Sequence, residues 1–182
     1  MASNVLFIQG AGEGAYEADR QLVSNLQQLL GDGYRIHFPR MPDESRPNGE
    51  AWIAQIRIDL SAYPGATILI GHSFGASMLL KYVSEGKPDH SVAGLFLLAP
   101  PYWGPEGWDV EAFALRSDAA SAISDIQPVT FYHCRDDDIV PFSHLGQYVK
   151  TFPQAIVREF EGRGHLFGED MSEVAQDIRN LQ

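Results

Sequence analysis

Ser73 sits in the pentapeptide Gly71-His72-Ser73-Phe74-Gly75, directly after the aliphatic run Thr67-Ile68-Leu69-Ile70. The stretch that follows, 76–83, reads as a helix. A buried strand, a G-x-S-x-G turn and a helix make a nucleophile elbow, which lifts one serine hydroxyl onto a strained corner at the top of a sheet. The glycines have a mechanical reason: a Cβ at Gly71 or Gly75 would clash where strand and helix approach, and the corner needs unusual φ/ψ. A plain turn serine can carry the same pentapeptide, so it is the strand-turn-helix setting that makes Ser73 the candidate nucleophile. A nucleophilic serine needs a base to take its proton, an acid to orient that base, and N–H donors for the oxyanion.

Of six histidines, His165 alone lies in a glycine-rich loop after a predicted strand, Gly162-Arg163-Gly164-His165-Leu166-Phe167, and it is the candidate base. His72 is expected to point away, because alternate residues of a strand face opposite sides. His37, His90, His133 and His144 read as structural or surface positions, with His133 placed to hold the loop that follows it. That loop contains Asp136-Asp137-Asp138. Adjacent carboxylates repel one another, so one is expected to turn inward and orient a histidine while the others stay solvated. A solvated cluster or a cation site, magnesium included, is the competing reading, although no phosphate-binding loop accompanies it.

Gly10-Ala11-Gly12-Glu13-Gly14 follows the apolar run Asn4 to Gln9. The elbow supplies one oxyanion donor, the backbone N–H of Phe74, and this loop is positioned to supply the other, assigned to Ala11. Each such donor is worth about 3 kcal/mol to the transition state. The glycines could instead cradle a dinucleotide phosphate. Against this, position 15 is Ala15 rather than the third glycine of G-x-G-x-x-G, and no ribose-binding acid is clearly placed about 20 residues on.

The elements that must position these residues alternate along the chain. Strands are predicted at 4–9, 34–38, 67–70, 92–99, 129–133 and 155–160. Helices are predicted from about Tyr16 to Leu30 on the stripe Leu22, Val23, Leu26, Leu29 and Leu30, and through Trp52, Ile53, Ile56, Leu60 and Tyr63 until Pro64-Gly65. Others run from Phe74 to about Glu85, through Phe142, Leu145, Val149 and Phe152, and through Met171, Val174, Ile178 and Leu181. Asp170 with Glu173 offers a capping box for the last. The pattern predicts a three-layer α/β fold of about six mostly parallel strands with helices on both faces. Ligands of such sheets bind at the carboxyl ends of the strands, where all the candidate residues lie. No repeat, low-complexity tract or linker divides residues 1–182, which are expected to form one domain. The one irregular stretch, 100–127, carries Tyr102, Trp103, Trp108 and Phe113 among Gly104, Pro105 and Gly107. Two compatible expectations attach to it: Tyr102, Trp103 and Trp108 wall a substrate site, or they form a satellite core under a long loop.

The order Ser73…Asp137…His165 is that of an α/β-hydrolase, and the chain resembles a small α/β-hydrolase over essentially its whole length. It is similar in length and layout to the short serine hydrolases related to retinoblastoma-binding protein 9, which lack a large cap domain. The family's G-x-x-D-x-x-V-P matches Cys134-Arg135-Asp136-Asp137-Asp138-Ile139-Val140-Pro141, with Cys134 in place of the usual glycine. That match selects Asp137, with Asp136 as runner-up. G-x-G-H matches Gly162-Arg163-Gly164-His165, and the frequent His-Gly of the oxyanion loop is Gln9-Gly10 here. The resemblance implies a cofactor-free, metal-free serine hydrolase acting on esters or thioesters through an acyl-enzyme. A transferase or lyase on the same scaffold, or a protein-binding module with a protein partner, are the rival classes.

Composition bounds the rest. A formal net charge of −11 and a pI near 4.8 argue against a nucleic-acid partner. The single cysteine, Cys134, has no internal disulfide partner and fits a reducing compartment. Met1 to Gly10 lacks a basic leader region and no window approaches the roughly 18 apolar residues of a membrane span, so a cytoplasmic protein is expected.

Overall fold

The computed structural model describes residues 2–63, 65–86 and 91–181, which leaves His90 and Pro64 outside the described residues. Its strands are β1 (Ser3–Ile8), β2 (Tyr34–His37), β3 (Thr67–His72), β4 (Val92–Leu98), β5 (Val129–Cys134) and β6 (Ile156–Phe160). Its helices are α1 (Ala15–Leu30), α2 (Gly49–Ser61), α3 (Ser73–Glu85), α4 (Ala119–Ala122), α5 (Ser143–Thr151) and α6 (Ser172–Arg179). The strands form one sheet in the order β2-β1-β3-β4-β5-β6, and every neighbouring pair is parallel. This is the parallel α/β layout expected from the alternation of elements.

The strand order makes a crevice. The chain leaves β1 for β2 on one side and later returns to β3 on the other, so the connections diverge above the carboxyl ends of β1 and β3. That topological switch point is where open parallel sheets bind ligands. Gly10 and Ser73 stand at those two ends.

Period-two alternation along the strands divides the core into two layers. Leu6, Ile8, Leu69, Leu95, Leu97 and Phe131 face Trp52 and Ile56 of α2, Met78 and Leu79 of α3, and Leu145 and Tyr148 of α5. Val5, Phe7, Ile68, Ile70, Phe96 and Leu98 face Leu22 and Leu26 of α1 and Val174 and Ile178 of α6. Both faces of the sheet are covered, which is why its strands read as continuous apolar runs. Among the described residues, no helix is long and apolar enough to cross a membrane.

Two expectations change. The capping box at α6 does not form, because the helix starts at Ser172 with Met171 as its N-cap, one residue later than that box requires. Asp170 Oδ1 instead accepts from the Ser172 N–H at 3.0 Å, while Glu173 takes a bidentate pair from Arg163 at 2.9 Å each. The stretch 100–127 is not structureless. It carries a turn of 3-10 helix at Glu111–Phe113, the short α4, and an isolated bridge between Trp103 and Trp108. Its start is fastened by Ser77 Oγ and Tyr148 Oη, which both donate to the Pro101 carbonyl at 2.9 and 2.8 Å.

Candidate active site

The elbow is tighter than its sequence suggested. Strand β3 runs on to His72, and helix α3 begins at Ser73 itself with no loop residue between. The corner is taken by Ser73, whose φ is +51°. A non-glycine residue in the left-handed region is strained, and the surrounding close packing holds it there. A Cβ on Gly71 would lie 2.6 Å from the Cα of Ala76, and one on Gly75 would lie 2.1 Å from the Gln9 carbonyl oxygen. The second distance also shows how the loop after β1 meets the elbow: the end of β1 lies directly against the first turn of α3.

Gly10 in that loop has a reason of its own, since a Cβ there would come within 3.2 Å of the Ser73 Cβ. The Gly10 N–H donates to Asp19 Oδ2 at 2.7 Å and the Gly12 N–H to the Glu44 carbonyl at 2.6 Å. The amide between them, at Ala11, has no hydrogen-bond acceptor among the described residues, and Ala11 lines the same cleft as Ser73. The Phe74 N–H belongs to the first turn of α3, where helical amides lack an intrahelical acceptor. Its side chain turns into the core, edge-on to Trp52 at 4.9 Å. Gln9, where the resembled family often has histidine, is fully buried and points away from the cleft. It donates to Glu44 Oε2 at 2.7 Å and accepts from the Met41 N–H at 3.0 Å, so it anchors the segment after β2.

The carboxylates after β5 diverge. Asp137 turns inward and its Oδ2 lies 2.8 Å from His165 Nδ1. Its Oδ1 accepts from the Ile139 and Val140 N–H groups at 2.9 and 2.8 Å. Burial alone would raise its pKa, but hydrogen bonds from His133 and His165 and from these amides hold it well below the usual carboxylate range. His133 Nε2 lies 3.4 Å from Asp137 Oδ2 and 2.9 Å from the Val140 carbonyl oxygen, which fastens the acid loop from beneath. Asp136 faces outward and accepts from the Gly162 and Gly164 N–H groups at 2.8 and 3.1 Å. Both glycines have positive φ, as the turn carrying His165 demands. Asp136 therefore braces the loop that carries His165, and Asp137 touches its imidazole. Because the two point at different partners, they do not converge as cation ligands would. Among the described residues, no cluster of histidine, cysteine and carboxylate has the geometry of a metal site. Cys134, at the glycine position of the motif, is buried, and burial with the adjacent carboxylates pushes its thiol up to about 12.

Ser73, His165, Ala11, Gly12, Ile139 and Leu166 line one cleft of about 490 Å³. No hydrogen bond joins the Ser73 hydroxyl to His165; in unliganded sites such bonds are often long and tighten with substrate. His165 Nδ1 faces Asp137, which leaves Nε2 for the serine. Burial lowers the His165 pKa, the Asp137 hydrogen bond opposes it, and the nearby His72 lowers it further, so the net direction is down from the ordinary imidazole value. A base with a lowered pKa is neutral and competent above that value and is lost as pH falls through it. The kcat/KM of a neutral ester is accordingly expected to be flat through neutrality and to fall with unit slope at a midpoint below about 6.5. A midpoint above that value contradicts the assignment of His165.

Tyr102, Trp103 and Trp108 are not among the residues that line this cleft. Trp103 packs edge-on to Phe74, Phe113 and Trp108 at 5.9, 4.9 and 5.3 Å, as a satellite of the α3 core layer. The Tyr102 N–H donates to His144 Nδ1 at 2.8 Å, and Trp108 packs edge-on to the same imidazole. The physical reason is Phe74: its inward ring presents an apolar edge on the α3 side, and the insertion closes over that edge. A second cavity of about 400 Å³, bounded by Ile123, Ile126, Val129 and Phe152, lies at the amino ends of β5 and β6 and has no titratable side chain in its lining.

Sequence reasoning missed two residues near the base. His72, expected to point away from the serine, lines the same cleft and packs against His165, with ring centroids 4.6 Å apart. Its partner is Asp19, buried on α1. The signal was present: Asp19 falls on the buried stripe with Leu22, Leu26 and Leu30, where a carboxylate needs a partner.

The parallel sheet, the strained serine and the adjoining histidine define an α/β-hydrolase, an enzyme of the serine hydrolase class. The chain belongs to the serine hydrolase family, whose sequence profile matches residues 22–171. It is 21% identical to the putative hydrolase YdeN of Bacillus subtilis (strain 168) over 158 residues, 79% of this chain and 76% of that one. The crystal structure of the B. subtilis ydeN gene product superposes with a TM-score of 0.72 at 17% identity, covering 99% of this chain and 98% of that one. The esterase domain of a Rhodothermus marinus protein superposes with a TM-score of 0.70 at 16% identity, covering 97% and 84%.

Proposed function

We propose that this chain hydrolyses carboxylic esters or thioesters through an acyl-enzyme on Ser73. The observation that carries the reading is the 2.8 Å contact between His165 Nδ1 and Asp137 Oδ2, in a cleft shared with a serine held at positive φ. His165 Nε2 takes the Ser73 proton as Oγ bonds to the acyl carbon, and Asp137 keeps the imidazole in the required tautomer and stabilises its charged form. The Ala11 and Phe74 N–H groups hold the oxyanion. Collapse of the tetrahedral intermediate expels the alcohol or thiol, which receives the proton from His165. Water then enters, gives its proton to the same nitrogen, and releases the acid. The esterase among the similar folds is in keeping with an ester substrate.

The cleft has no phenylalanine, tyrosine or tryptophan in its lining to hold an aromatic or long acyl chain, and small to medium acyl groups are the substrates assigned to it. Mixing with p-nitrophenyl acetate in a stopped-flow instrument is expected to release a burst of about one nitrophenolate per site before the steady state. Acid quenching should trap protein heavier by one acetyl group. Turnover with no acylated protein would contradict the acyl-enzyme.

A further inference from the structure

Asp19 and His72 form a second carboxylate–imidazole pair, 1% and 2% exposed. Asp19 Oδ1 lies 2.7 Å from His72 Nδ1, and Asp19 Oδ2 accepts from the Gly10 N–H at 2.7 Å. His72 Nε2 lies 3.0 Å from the backbone carbonyl oxygen of His165. Donor and acceptor roles follow from the partners. A carbonyl only accepts, so His72 Nε2 carries a hydrogen, and an amide only donates, so Asp19 Oδ2 is an acceptor. One proton remains, between Asp19 Oδ1 and His72 Nδ1. Burial opposes a charged His72, but the Asp19 charge and its hydrogen bond, together with the His165 carbonyl, carry the net shift upward. Both nitrogens of His72 thus face oxygen atoms, and the upward shift favours its protonated form against the ring of His165.

We propose that Asp19 and His72 are positioning residues for the hydrolysis assigned above, a reading on which this inference rests, and that they tie the oxyanion loop to the loop carrying the base. Each end has a mechanical consequence. Asp19 engages the Gly10 N–H, so the next amide along, that of Ala11, is the one left for an oxyanion. His72 grips the carbonyl of His165 itself, fixing the main chain from which the base projects. The groups acting on the His165 ring are Asp137 from the loop after β5, His72 at the end of β3 and Asp19 on α1. Those acting on His72 are Asp19, Asp137 and the His165 carbonyl. A protonated His72 disfavours a second charge on His165, in the same direction as the lowering of the His165 pKa. A buried ion pair with a purely structural role would alter stability and leave the ionisation of the base where it is.

The test uses the full chain. His72→Phe removes both the N–H donor and the charge, while His72→Gln keeps an N–H within reach of the His165 carbonyl and removes only the charge. His72→Phe is expected to lower kcat by about tenfold to a hundredfold with KM changed by less than about twofold. His72→Gln should recover part of that loss. Both should move the acid limb of kcat/KM upward by about half a pH unit or more, the size expected on removing a unit charge roughly 5 Å away. Fluorophosphonate labelling of the wild-type chain is run alongside. An unlabelled wild type overturns the nucleophile and, with it, the pair's role. A labelled wild type whose folded His72 variants keep both kcat and the acid limb overturns the positioning role alone. If His72→Phe does not fold, His72→Gln decides through the acid limb.

Discussion

Ser73→Ala is expected to reduce ester turnover by a factor on the order of 10⁴ or more. No other hydroxyl replaces the lost nucleophile: Ser77, one turn further along α3, donates to the Pro101 carbonyl on the other side of the helix start. The residual rate is what the oxyanion donors and binding supply to attack by water. Stability should not fall with activity. Alanine keeps the Cβ and so inherits the same strain at φ +51° without adding to it. Thermal melting and circular dichroism that match wild type, beside lost turnover, are the expected pair of measurements. Retained turnover removes Ser73 from the mechanism.

Asp137→Asn is expected to cost about 10⁴ in kcat, and Asp136→Asn only about tenfold. Asp137 has both oxygens engaged by donors: the Ile139 and Val140 amides on Oδ1, and His165 with His133 on Oδ2. An asparagine that keeps its oxygen on the two amides turns its NH₂ toward His165. That donor-to-donor contact is relieved only if Nδ1 gives up its hydrogen, which places the hydrogen on Nε2, where the serine proton should go. Catalysis stops for want of the right tautomer while the loop stays in place. Asp136→Asn loses one of two acceptors for the Gly162 and Gly164 amides and slackens the turn before His165. Steady-state kinetics of the two variants separates them. The reverse order would make Asp136 the acid.

The layered sheet was legible because strands buried on both faces leave unbroken apolar runs, and Val5 to Ile8, Ile68 to Ile70 and Leu95 to Leu98 are such runs. Ser73 was legible because close approach at the elbow requires glycine at 71 and 75, a demand that survives in any sequence making the turn. Whether Asp136 or Asp137 turns inward is a rotation of the chain after β5, and it was the match to G-x-x-D-x-x-V-P that selected Asp137, the carboxylate that lies against His165. What escaped depended on direction. The tryptophans of 103 and 108 were equally fit to wall a cleft or to close over Phe74, and the outcome rests on where the Phe74 ring goes. The capping box failed for a similar reason, since a start one residue later re-aims Glu173 at Arg163. The Asp19–His72 pair joins residues 53 apart in sequence, and only the fold brings them within 2.7 Å.

Ser73 as an activated nucleophile is the central proposal, and reaction with a fluorophosphonate reads that directly. Intact-mass spectrometry of the wild-type chain should show one phosphonyl adduct, mapped by digestion to the peptide containing Ser73. Ser73→Ala should show none, and His165→Ala should react far more slowly. An unlabelled wild-type chain, or an adduct that survives Ser73→Ala, would contradict the mechanism at its centre.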